Sequence, residues 1–153
     1  MLATCDVAIG DLGTNDHSLG LAAWQNTIYL AAASIGRSVR TKTIFLSTIG
    51  PRTSSTDSWA TVTNQTPSSS SANRLLVNTW MRSILPGLLS LEGVTCYVFD
   101  GLTVNAVNAL GQPDVAGLYW NPSRTTDGLH PGETGHAAAA VVGRAALQAA
   151  GLV

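Results

Sequence analysis

Asp127 and His130 stand three residues apart in the run Asp127-Gly128-Leu129-His130, directly before Pro131. A histidine, with an ordinary pKa of about 6.5, can act as a general base near neutral pH, and it needs an acceptor on its second ring nitrogen to fix tautomer and orientation. Asp127 is close enough in sequence to fold back and be that acceptor. Toward the other end, Gly13-Thr14-Asn15-Asp16 follows an apolar run. A side-chain amide in a turn after a strand can donate to a developing oxyanion, a role in which loss of one donor costs roughly 100- to 1000-fold in rate. Base, orienter and oxyanion donor are parts of an acyl-transfer site. The plainer reading is that Asp, Asn and His near helix starts and tight turns serve as caps and turn formers.

The elements that must position these residues follow from periodicity. Cys5 to Gly10 is short and apolar and ends at Asp11-Leu12-Gly13, which predicts a buried strand. Leu21, Trp24, Ile28, Ala31 and Ile35 recur at three- and four-residue spacing and predict one helical face, with Gly36 as its stop. Thr43 to Ile49 predicts a second strand, closed by Gly50-Pro51. From Arg52 to Asn73 there is almost no periodicity, so this stretch is expected to be a long polar loop; its Trp59 is a candidate for substrate contact. Ser70 or Ser71 could cap a helix whose shared face is Leu76, Trp80 and Ile84 and which stops near Pro86. Val94 to Phe99 predicts a third strand, and an alanine-rich helix runs from about Pro131 to Gly151.

Strands that alternate with helices and read as continuous apolar runs predict an α/β fold with a parallel sheet covered on both faces. In such sheets ligands gather at the carboxyl ends of the strands. Asn15 follows the first strand, the Gly50 to Asn73 loop the second, and the segment bearing Asp127 and His130 the third, so all three are expected at one edge.

Composition narrows the partners. The chain has 153 residues, 45% of them hydrophobic, enough for one domain with a core, residues 1–153. Charged residues make up 11% and the formal net charge is −1, which leaves no basic field for nucleic acid or an anionic membrane. No apolar run approaches the roughly 20 residues that cross a bilayer, and Met1 to Asp6 lacks the features of a signal peptide. Cys5 and Cys96 both fall in predicted buried strands, where free cysteine behaves as a small apolar side chain. Low charge and Ser/Thr-rich loops lean toward a secreted or extracytoplasmic setting.

Taken together, Gly13-x-Asn15-Asp16 after a strand and Asp127-x-x-His130-Pro131 before the last helix resemble the SGNH hydrolases, the GDSL-like esterase and lipase family. The resemblance spans essentially the whole chain. It implies a three-layer α/β/α sandwich on a parallel sheet, of the SGNH or flavodoxin-like kind, and a serine ester hydrolase activity (esterase, lipase or deacetylase). It implies that Asn15 donates to the oxyanion and that Asp127 and His130 are orienter and base of the catalytic triad. The implied substrate is a small-molecule or carbohydrate ester, with no cofactor and no metal.

The departures are equally specific. The family's first block, Gly-Asp-Ser, supplies the nucleophile, and its second supplies a glycine NH of the oxyanion hole; neither precedes Gly13, and Gly10-Asp11-Leu12 has leucine where the serine belongs. The chain is therefore expected to lack the first two strands of the fold, with the serine supplied by an upstream segment or a second polypeptide. Ser18, Ser47 and Ser68 to Ser71 read as cap or loop residues. A metal site of His17, His130, His136 and Asp16 lacks the usual ligand spacing. The alternative is a non-catalytic remnant, a binding or structural module of a larger surface or phage assembly.

Overall fold

A computed structural model of the protein describes residues 5–153, so the sequence reading of Met1–Thr4 lies outside the described residues. The chain forms two compact units, the first from residues up to Thr48 together with Asn73–Phe99, the second from Ile49–Ala72 and Asp100–Val153.

The first unit is a mixed α/β structure around a three-stranded parallel sheet. Its strands are β1 (Val7–Asp11), β2 (Thr43–Ser47) and, after two short strands of the other unit, β5 (Thr95–Phe99), in the order β1-β2-β5. Val7 pairs with Thr43 and Thr43 with Thr95, and this register continues until Asp11, Ser47 and Phe99 lie side by side at the carboxyl ends. β2 is central and Ile44, Phe45 and Leu46 are all buried, as a strand covered on both faces requires. The outer strands are less covered. Phe45 stacks on Tyr97 with ring centroids 4.8 Å apart, yet Tyr97 on β5 and Ile9 on β1 remain exposed.

β1 and Cys5 depart from the buried strand expected over Cys5 to Gly10. The strand is only half-buried, because it forms the sheet's edge and pairs with β2 alone among the described residues. Cys5 lies before it and is exposed, whereas Cys96 on β5 is buried.

Helix α1 (Leu21–Ser38) buries Trp24, Ile28, Ala32, Ala33 and Gly36 and packs on β2 and on α3 (Leu85–Leu91), which in turn covers β5. Gly36 does not stop α1 but lies inside it, facing Val94. Between them in sequence runs α2 (Ser71–Ser83). Its buried stripe is Arg74, Val77, Asn78 and Met81, while Leu76 is exposed, so the apolar face expected from Leu76, Trp80 and Ile84 is the wrong side of the helix. Pro86 does not end that helix but sits in the first turn of α3, where its missing NH costs nothing. Ser71 does not cap α2: its buried hydroxyl has no hydrogen-bond partner among the described residues, and the Ser70 hydroxyl pairs with that of Ser68.

The second unit holds two short antiparallel pairs and one long helix. β3 (Thr53–Ser55) pairs with β4 (Gln65–Pro67), and β6 (Ala106–Val107) with β7 (Tyr119–Trp120). The stretch expected to be a structureless loop is thus a hairpin. Buried Gln65 ties the two pairs together: its side-chain NH donates to the Trp120 carbonyl (2.9 Å), and its carbonyl accepts the Trp120 NH (3.0 Å) and the Thr53 hydroxyl (3.2 Å). The last helix, α4 (Glu133–Ala149), starts beside buried Asn105, whose amide donates to the Gly135 carbonyl (3.3 Å). No helix among the described residues is long and apolar enough to cross a membrane.

Candidate active site

Asn15 belongs to the first unit. β1 ends at Asp11, and the chain then makes two successive turns closed by Asp16 NH to the Gly13 carbonyl (3.1 Å) and Leu19 NH to the Asp16 carbonyl (2.9 Å). The buried Trp24 indole donates to the Gly13 carbonyl (2.8 Å), which fixes the first turn to helix α1. Asn15 is carried at its tip and is exposed, two residues beyond a carbonyl anchored from the core.

Asp127 and His130 belong to the second unit, in a loop whose neck is closed twice. Thr125 and Pro131 form an isolated antiparallel bridge, and Gly132 NH donates to the Arg124 carbonyl (2.8 Å). Within the loop the Thr125 hydroxyl accepts the Gly128 NH (3.0 Å) and donates to the His130 carbonyl (2.8 Å). Asp127 Oδ1 accepts the backbone NH groups of Leu129 (2.8 Å) and His130 (2.7 Å). Its second oxygen, Oδ2, lies 2.7 Å from His130 Nδ1.

That geometry determines the tautomer. A carboxylate can only accept, so His130 Nδ1 carries the hydrogen and Nε2 of the neutral ring is left as the acceptor. The ring is also reachable, with the His130 and Asp127 side chains 63% and 50% exposed. Partial burial pushes the Asp127 carboxyl up, but it is outweighed by the His130 backbone NH, the imidazole hydrogen bond, the Leu129 NH and the imidazole charge, which together hold it at about 2. Asp127 is therefore ionised wherever a neutral histidine exists to orient.

The surroundings of Gly128, which directly follows Asp127, are not announced by any local pattern in the sequence. The Gly128 carbonyl accepts two hydrogen bonds, from Thr53 NH and from the indole of fully buried Trp120, both 2.9 Å. Its φ is +70°, and any Cβ would lie 2.6 Å from Cζ2 and Nε1 of Trp59 and collide with the Thr53 carbonyl oxygen. Only glycine meets both demands. Trp59 itself is half-buried, and its indole donates to the Thr53 hydroxyl (2.9 Å).

The Ser47 hydroxyl is buried and donates to the Thr48 carbonyl (2.9 Å). Burial pushes the Cys96 thiol up to about 12, far from thiolate chemistry at neutral pH. Among the described residues no three His, Cys, Asp or Glu side chains are grouped to hold a metal ion. No protein-family model, curated protein or solved structure matches the chain.

Proposed function

We propose that this chain carries the base, the orienter and one oxyanion donor of an SGNH-type serine ester hydrolase, acting on a small-molecule or carbohydrate ester. The observation that supports this reading most is the 2.7 Å contact between His130 Nδ1 and an Asp127 carboxylate already fixed by two backbone NH groups. His130 Nε2 would take the proton of an attacking serine and return it to the leaving alkoxide, while Asp127 holds the ring and stabilises the imidazolium. Asn15 would donate its amide to the oxyanion of the tetrahedral intermediate. The serine would come from a Gly-Asp-Ser block, which this sequence does not contain. The three-layer sandwich, with two further strands beside β1, is part of the same proposal.

The test is hydrolysis of p-nitrophenyl acetate. Loss of the nucleophile costs on the order of a millionfold in a serine protease. The chain alone should therefore sit at the buffer rate, and the chain joined to or mixed with the polypeptide encoding the Gly-Asp-Ser block should hydrolyse the ester. In that complete form His130→Ala should abolish activity and Asn15→Ala should lower it roughly 100- to 1000-fold. Robust hydrolysis by the chain alone, abolished by His130→Ala, would overturn the missing nucleophile. A complete form indifferent to His130→Ala would overturn the assignment of the base.

A further inference from the structure

We infer that Trp59 is a positioning residue for the Asp127–His130 pair, its indole forming the wall against which the turn at Gly128 is pressed. The inference rests on that pair being the base and orienter proposed above, but its geometry stands alone. The indole occupies the space a side chain at position 128 would need, so the turn that places Asp127 before it and His130 after it can close only against that ring.

The indole is itself held from several directions. Its Nε1 donates to the Thr53 hydroxyl (2.9 Å), and Thr53 reaches the same turn through its own NH, which donates to the Gly128 carbonyl (2.9 Å). One β3 residue thus holds both the wall and the turn. On the other side the Ser55 hydroxyl accepts the NH groups of Asp57 (3.2 Å) and Trp59 (2.9 Å) and donates to Asp57 Oδ1 (2.7 Å). Asp57 Oδ2 accepts from Thr61 (2.7 Å) and Asn64 (3.0 Å).

The backbone carries the strain such a placement implies. Ser58 and Trp59 have φ of +57° and +60°, two consecutive non-glycine residues in the left-handed region. Neither residue type favours it, and a strained conformation of this kind persists only where surrounding contacts over-determine it. Here those contacts are the Asp57 clamp and the Thr53 hydroxyl, and they aim the ring at Gly128.

The experiment reads the pair rather than the reaction, so it can succeed or fail independently of ester hydrolysis. Histidine-15N-labelled chain is compared as wild type, Trp59→Phe, Trp59→Leu and Trp59→Ala, with amide dispersion reporting the fold. In wild type and Trp59→Phe, which keeps a flat ring, the His130 imidazole shifts should show the Nδ1–H tautomer. The Asp127 carboxyl, followed by 13C in the same samples, should titrate at about 2. In Trp59→Ala and Trp59→Leu the tautomer preference should be lost and the Asp127 midpoint should rise toward its ordinary value of 3.8. A folded Trp59→Ala or Trp59→Leu with both signals unchanged overturns the inference. So does unfolding of both, which would mean that the indole holds the unit together rather than the pair.

Discussion

Asp127 is the residue on which the candidate site depends, because its two oxygens do different work. Oδ1 takes the NH groups that make the turn and Oδ2 takes the His130 ring. Its pKa of about 2 lies below the ordinary 3.8, so its contribution to stability is complete above the ordinary value and lost as pH falls through about 2. Asp127→Asn should therefore lower the urea midpoint relative to wild type at pH 5 and above. That gap should close between about pH 4 and pH 2, where the wild-type carboxyl also becomes neutral. The gap is expected to be small, since half of the side chain faces solvent. A gap that stays constant from pH 6 to pH 2 would show that the carboxylate charge does not hold the turn. The pair itself was legible from spacing, because three residues of sequence separation leave little freedom in where the two side chains can go. The wall behind it was not: nothing in the residues Ser58 and Trp59 announces left-handed backbone, and the Thr53 and Trp59 contacts to Gly128 come from a distant stretch of sequence.

At the scale of elements, α1 shows how one small residue sets the distance between layers. Gly36 is buried inside the helix, and a Cβ there would overlap Val94 Cγ1 and lie 3.0 Å from its Cγ2. In an open helix Gly→Ala gains about 1 kcal/mol of helix propensity. Overpacking costs typically about 1–3 kcal/mol, so here the steric penalty is expected to win. Gly36→Ala should lower the Tm, and Val94→Ala introduced with it should recover most of the loss; a rise in Tm for the single variant would show that the helix can shift away from Val94. The parallel strands and α1 were legible because their apolar residues repeat at strand or helix period. The buried stripe of α2 was not, because Arg74 and Asn78 occupy two of its positions and leave Leu76, Trp80 and Ile84 as the more obvious apolar row. β3 and β4 have three residues each, too few to show alternation, and the side chain of Gln65 rather than an apolar face binds them to β7.

For the whole molecule, the more exposed of the sheet's two edges is the free side of β1. Among the described residues β1 and β5 are both five-residue edge strands paired only with β2, but β1 carries Ile9 at 56% exposure, whereas Tyr97 on β5 is stacked on Phe45. An edge with unpaired NH and C=O groups and an exposed apolar side chain is a template for another strand, and natural proteins blunt such edges with charge. The only charges on β1 itself are at its end, on Asp11, so its middle is unprotected. The isolated chain should therefore self-associate with rising concentration in sedimentation velocity. Ile9→Lys, which puts a charge on the exposed middle of the strand without touching Asp127, His130 or Asn15, should shift it toward monomer. If, as proposed, two further strands pair with this edge, the same substitution should weaken that pairing too. Monomeric behaviour of the unsubstituted chain at high concentration would show that the edge is closed by some other means.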